Sequence, residues 1–333
     1  MPLAEPSAPA PRLSPRAIGI GSAVVTVAVW TAFIVIARAS ASGSLTPLDL
    51  TFARICGAGV VLVPWGWWLV RRLRAQGQTA GSLFGLSPLP LRITALIGAL
   101  AGVIYAVLAY SGFFFAPAGH ASVLMPGSLP LWTALLAAVF LHDRITPTRA
   151  MGLALIVAGD LIVGGRSLLH AFGDGGDVWK GDLLFMSAAF SWACYSVIAR
   201  RFGLDAVRAT IALTVFAVLT FLPVYGVLAA LGAVRSNLGH APWGEFVFQM
   251  LMQGVGSVVI SGISFTRMIQ YFGPVRSTMI TSLVPGLSAA GAVIFLGEPL
   301  YWNLLAGLVL VTAGILFGVQ RAALRPMPAP GGA

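Results

Sequence analysis

Charge is what this sequence has least of. Asp, Glu, Lys and Arg make up 9% of its 333 residues, against about 25% in soluble domains, so an ordinary water-soluble domain is excluded. Disorder is excluded as well, since it needs low hydrophobicity and high charge. Lys180 is the single lysine among 20 basic residues, so no buried Schiff-base lysine exists. The formal net charge is +10, but the arginines form no dense stripe, and no nucleic-acid partner is expected. The two cysteines, Cys56 and Cys194, each sit in an apolar run and make no CxxC pair or disulfide framework. His120, His142, His170 and His240 are at least 22 residues apart in sequence, and no HExxH or Asp-rich motif occurs, so neither a metal nor a cofactor is expected.

What is abundant is apolar length: 58% of the chain is hydrophobic. A bilayer core needs about 20 apolar residues per helix. Ten such runs are read, at 17–37, 48–70, 93–113, 118–141, 147–165, 181–199, 206–231, 246–266, 275–296 and 300–320. The first is too long for the apolar region of a signal peptide and is taken as a span. Residues 1–16 and 321–333 read as disordered cytoplasmic tails, and 166–180 as an outer linker. Trp65, Trp67 and Trp68 precede Arg71, Arg72 and Arg74, the pattern of an aromatic belt followed by a basic loop. With ten spans both termini share one side. Placing them in the cytoplasm leaves only Arg38, Arg54, Arg166, Lys180 and Arg235 of the 20 basic residues outside, as the positive-inside rule requires.

The chain also repeats itself. Trp30–Arg38 (WTAFIVIAR) matches Trp192–Arg200 (WACYSVIAR), and residues 120–161 match 275–316. The second match aligns Pro130 with Pro285, Phe140-Leu141 with Phe295-Leu296, Asp143 with Glu298, Gly152 with Gly307, and Gly159 with Gly314. The repeating unit is five spans (17–165 and 181–320), and an odd number inserts the second copy upside down. An inverted-topology repeat is a signature of secondary transporters that work by alternating access. The expected fold is therefore an all-α integral membrane protein: ten transmembrane helices in two inverted repeats of five around a central cavity.

The order Pro285…Phe295-Leu296-Gly297-Glu298-Pro299, then Gly307…Ala313-Gly314, resembles the EamA-type transporters of the drug/metabolite transporter superfamily, over about residues 17–320. The first half departs from the pattern, with His142-Asp143 standing where the second has Gly297-Glu298. The resemblance implies a multi-pass protein of the bacterial inner membrane that moves a small organic metabolite such as an amino acid, sugar, nucleoside or amine-like drug, by export or exchange. Its partners would be that substrate and the lipid bilayer. A coupling ion such as a proton, and a monomer or a homodimer, stay open. Span one lacks the carboxylate that four-span multidrug exporters use there to exchange protons, so coupling through another acid, metabolite exchange and facilitated diffusion remain.

Two sets of residues bear on architecture. Gly152 and Gly159, and their counterparts Gly307 and Gly314, are two helical turns apart and share a face. Small faces let helix backbones approach closely in lipid, so spans five and ten are expected to pack as a static element, much as the last helix of the four-span exporters dimerises. Pro130 and Pro285, in spans four and nine, are read as helix kinks.

Candidate substrate contacts are the few polar or aromatic residues within spans. Arg54, two turns into span two, could hold an anionic group, snorkel, or pair with Asp49. His120 starts span four. Tyr105 and Tyr110 lie on span three. Gln253, Ser257, Ser261 and Ser264 form a polar stripe on span eight, read at α-helical spacing. Trp30, Trp192 and Tyr195, on the repeated spans one and six, complete an aromatic lining. Asp160, Asp182, Glu245 and Glu298 are expected to cap helices or form pairs at outer helix ends. The competing reading is an integral membrane enzyme acting on a lipid-linked substrate; it needs a catalytic or metal cluster at the interface, and the sequence offers none.

Overall fold

The computed structural model describes residues 15–78, 81–173 and 176–320; residues 1–14 of the first expected tail and the whole of the second, 321–333, lie outside it. The described chain is helical. Helices α1 (Pro15–Ser40), α2 (Pro47–Ala75), α3 (Leu91–Phe113), α4 (Ala118–Phe140) and α5 (Pro147–Gly173) make the first half. Helices α6 (Val178–Arg201) and α7 (Ala206–Ala230) open the second half. Then come α8 (Trp243–Gln249, continuing through Met250–Ile260 and Ser261–Thr281), α9 (Leu283–Leu296) and α10 (Trp302–Gln320). Among the described residues nine helices are long and apolar enough to cross a membrane, and α10 supplies a shorter apolar helix, Trp302–Phe317.

Local chemistry sets the helix starts. Pro47 occupies the first turn of α2, where its missing N–H costs nothing. Thr46 caps that turn in a reciprocal box with Asp49, the Thr46 N–H donating to Asp49 Oδ2 at 2.9 Å. Asp205 caps α7 by accepting from the Arg208 N–H at 2.9 Å. At the end of α9 the chain turns through Gly297 in the left-handed region, φ 64°. His142, in the equivalent turn of the first half, adopts φ 56°. The first half thus keeps the backbone of the second without its glycine, a strain of about 1–2 kcal/mol for an ordinary side chain.

Two expectations change. Helical backbone continues past Gly273-Pro274 to Thr281, so α8 is longer than the 246–266 read from sequence and α9 begins at Leu283 rather than at 275. Proline is tolerated inside membrane helices when neighbouring groups satisfy the freed backbone. Pro285 lies at the start of α9 rather than in mid-helix, whereas Pro130, midway along α4, marks a break in that helix. Pro130 follows a turn at Ser128 and lies in the first turn of the segment Leu129–Phe140, and Pro285 is the third residue of α9. Both sit in the first turn of a helical segment, where no N–H is needed.

The halves interlock. α2 packs on α8, and its counterpart α7 packs on α3; α1 lies against α8 and α9, and α6 against α3 and α4. The two receiving helices share an irregularity: α3 is π-helical over Gly98–Ile104 and α8 over Met250–Ile260. Glycines permit the crossings. A Cβ on Gly57 would lie 2.1 Å from the Met250 carbonyl oxygen, and one on Gly98 would lie 2.4 Å from Phe216 Cβ. At the far side α5 and α10 meet backbone to backbone. A Cβ on Gly314 would come within 2.5 Å of the Gly152 carbonyl oxygen, and one on Gly159 within 2.8 Å of that of Gly307.

Candidate functional site

Arg54 is carried into the bundle by the second turn of α2 and is 9% exposed. One of its Nη1 hydrogens reaches the Gln253 carbonyl oxygen at 3.3 Å, in the π-helical part of α8, and the same nitrogen donates to the Ser257 hydroxyl at 2.5 Å. Its guanidinium stands 5.4 Å from the centre of the Phe33 ring and is close enough to the Tyr105 and Tyr110 phenols to interact electrostatically with both. Among the described residues it has no carboxylate partner. Asp49, the partner considered from sequence, is engaged elsewhere: it accepts from the Tyr225 hydroxyl at 2.6 Å, the Ser236 hydroxyl at 2.8 Å and the Asn237 N–H at 2.9 Å. Asp49 therefore staples the α7–α8 connection to the start of α2, and Arg54 is left as a buried cation held by neutral groups.

Gln253 adjoins it. The side chain is fully buried, and neither amide atom has a hydrogen-bond partner among the described residues. Ser257 donates to the Gln253 carbonyl at 2.6 Å and Ser261 to the Ser257 carbonyl at 2.7 Å, so these hydroxyls partly serve their own widened helix. The stripe read at α-helical spacing is thus interrupted: the π-helical turns shift Ser257 and Gln253 toward α2, and Ser264 follows, half-buried, on regular helix beyond.

The aromatic candidates divide into two groups. Trp30 packs on Phe265 of α8 at 5.2 Å between ring centres. Tyr105 packs on Trp192 at 4.8 Å, and Trp192 on Tyr195 at 5.2 Å, against the small cluster of Leu89, Ile97 and Leu213. Tyr105 joins that group to Arg54. Tyr110, fully buried, meets Phe33 edge-on at 6.1 Å. The structure therefore gathers Arg54, Tyr105, Tyr110, Gln253 and Ser257, with Trp192 and Tyr195 one contact further out. Phe33 and Phe265 went unnoticed in the sequence, because nothing distinguishes them among aromatics that form 10% of the chain.

His120 lies apart, its Nδ1 2.8 Å from Asp182 Oδ1. Asp182 also accepts from the Ser167 hydroxyl. Glu245 accepts from the Ser44 hydroxyl and N–H. Asp160 departs from expectation: it sits midway along α5, 7% exposed, and neither carboxyl oxygen has a partner among the described residues. A groove of about 740 Å³ between α2, α7 and α8, lined by Phe52, Val60, Pro64, Leu222 and Trp243, is almost wholly apolar and opens beside exposed Val60 and Trp243 on the bundle surface. Among the described residues no three His, Cys, Asp or Glu side chains cluster as metal ligands.

The sequence repeat reappears as two ion pairs that cross between the halves. Arg38 Nε is 3.0 Å from Glu298 Oε1. Arg200, its counterpart, makes a two-pronged contact with Asp143, the counterpart of Glu298, at 2.6 and 3.1 Å. Glu298 also accepts from the Ala118 N–H at 3.1 Å, at the start of α4, and Asp143 follows its end, so the pairs occupy opposite ends of that helix. The Arg200 hydrogen bond holds the Asp143 carboxyl below the usual carboxylate range.

Residues 17–165 and 179–319 each match the EamA-like transporter family. The chain belongs to that family. An uncharacterized transporter of Bacillus subtilis (strain 168) is 25% identical over 240 residues, 70% of this chain and 75% of its own. A probable amino-acid metabolite efflux pump of Salmonella typhimurium is 28% identical over 212 residues, 62% of this chain and 69% of its own. A probable terminal-alkyne amino-acid exporter of Streptantibioticus cattleyicolor is 29% identical over 248 residues, 68% of this chain and 75% of its own. A solved crystal structure, 21% identical, superposes with a TM-score of 0.54 over 95% of this chain and 100% of its own, which shows the fold. This EamA chain is a multi-pass membrane protein, and its relatives are named as transporters.

Proposed function

We propose that this EamA protein is an inner-membrane secondary transporter that exports or exchanges a small carboxylate-bearing metabolite of the amino-acid class by alternating access. The observation that carries the reading is Arg54. An unpaired cation within a span is costly and functional by default. A planar guanidinium with unused N–H donors suits a bidentate carboxylate. The unpartnered Gln253 amide beside it offers further donors and an acceptor, and the Tyr105 and Phe33 rings can cover an apolar side chain or an ammonium group. Two relatives named for amino-acid metabolites or an amino acid support the class. The excess of arginine on one set of linkers supports cytoplasmic termini.

The test is ligand-induced thermal stabilisation of the purified protein by a panel of L-amino acids beside the matched decarboxylated amines. A specific ligand raises the melting temperature by mass action. At least one amino acid is expected to stabilise the protein where its amine does not. Arg54→Ala is expected to weaken that binding about 100-fold, within the ~2–5 kcal/mol typical of removing a buried charge partner. Equal stabilisation by acids and amines, or an unchanged Arg54→Ala, overturns the carboxylate assignment.

A further inference from the structure

The carboxyl of Asp160 takes no part in the site around Arg54, yet it is placed where a charged side chain is hardest to keep. It is 13 residues from either end of the 27-residue helix α5, in the middle of an apolar helix long enough to cross a membrane. It is 93% buried by the complement of its 7% exposure, and both oxygens lack partners among the described residues. A bare carboxylate without hydrogen bonds or a counter-charge is not tolerated in such surroundings, whereas the neutral acid is.

Its face of α5 is a polar track. Asp160, Gly164 and Ser167 are at i, i+4 and i+7 and share that face. A Cβ on Gly164 would lie 3.9 Å from Asp182 Oδ2. Ser167 donates to the same carboxylate, and His120 closes the cluster at 2.8 Å, its side chain 14% exposed. Ser167 lies about 10 Å along the axis from Asp160, at a rise of about 1.5 Å per residue. Of the helices packed against α5, α10 and the Leu129–Phe140 segment of α4 bring no titratable group. α6 brings Lys180 and Asp182 near one end and Cys194, Tyr195, Arg200 and Arg201 toward the other. α5 itself carries Arg149 near its start and Arg166 beside Ser167, with Arg166 Nη1 donating to Asn303 at 3.2 Å.

We propose that Asp160 is the proton-binding site of the transport cycle, reached from one membrane face through His120, Asp182 and Ser167. This rests on the transport reading above and supplies its coupling ion. The conformer described buries Asp160 with no hydrogen-bond partner among the described residues and so holds the proton on its carboxyl. A conformer that wets this face of α5 lets the proton leave to water as the carboxylate forms. Each passage between the two conformers then carries one proton, and a pH gradient biases the equilibrium that moves substrate. Asp160 and Arg54 need not touch, because both report on the same conformational change.

Proteoliposomes loaded with the full chain and an equimolar mixture of radiolabelled protein amino acids test this. Two fluxes are read: uptake driven by an imposed pH gradient, and exchange at equal pH. In Asp160→Asn the ratio of gradient-driven uptake to exchange is expected to fall about tenfold, inside the usual range of coupling between linked sites. Asp160→Glu is expected to restore it in part. Infrared difference spectra of the same samples should show a protonated-carboxyl band that titrates in the wild type and is missing in Asp160→Asn. Wild-type flux indifferent to the pH gradient, or a spectrum without that band, overturns the proton site while leaving the transport reading standing. A wild type with the band but no exchange of any amino acid overturns the transport reading and the coupling role with it.

Discussion

At one end of α4 Arg38 meets Glu298, and at the other Arg200 meets Asp143. The sequence repeat makes these pairs equivalent, but their surroundings differ. The Arg38 and Glu298 side chains are 32% and 14% exposed, and the pair is tied in further: Arg38 donates to the Phe113 carbonyl at 2.6 Å, and Glu298 accepts from the Ala118 and Gly119 N–H groups at 3.1 and 3.3 Å. One carboxylate thereby joins the end of α1 to the start of α4, while Arg38 reaches the end of α3. The Arg200 and Asp143 side chains are 60% and 25% exposed, and among the described residues each hydrogen-bonds to the other alone. The same pair of charges, duplicated and inverted, is a lock at one face of the bundle and a surface tether at the other. Exposed pairs contribute little, whereas a charge with several desolvated donors does.

The comparison can be broken at the lock first. Glu298→Gln removes the charge that three donors share and is expected to lower stability by about 2 kcal/mol, the scale of hydrogen bonds to charged groups; thermal melts of the purified protein read it directly. Arg200→Ala is expected to cost about 0.5 kcal/mol or less and to lose even that at high salt. If the two variants melt alike, the asymmetry between the faces is wrong. The smallest effect is one of pH. Because Arg200 depresses the Asp143 carboxyl in the folded protein, the pair's contribution is fully present above the ordinary carboxylate value of about 3.9 and is lost as pH falls through the lower folded value. Wild type and Asp143→Asn should therefore differ by a constant, small margin from neutral pH down to about pH 5 and converge only in stronger acid.

Much of the architecture was legible in the sequence because lipid imposes a long, simple signal. Apolar runs located the helices, and the matches of 30–38 with 192–200 and of 120–161 with 275–316 located the duplication. Arg54 stood out because charge within spans is rare. What stayed hidden depends on three-dimensional contact or on helices that depart from 3.6 residues per turn. Arg38 and Glu298 are 260 residues apart. The alignment of Asp143 with Glu298 was visible, but that each crosses to the other half was not. The π-helical turns of α8 moved Gln253 and Ser257 off the face that regular spacing assigns them. Asp160 looked like one more acid at a helix end because the helix boundary, at 165 in the sequence reading, falls at Gly173 in the structure.

The glycine contact between α5 and α10 bears on how the chain is made. α10 is synthesised well after α5, which waits for it while more than a hundred residues are still being translated. Until Trp302–Gln320 is made, the Gly152–Gly159 face of α5 lacks the backbone that it meets in the folded chain. The first half cannot complete its own packing, so the order of synthesis and the order of assembly differ. A chain stopped short of Trp302 is an orphan of both halves at once, with an open seam for the quality-control machinery of the membrane to find.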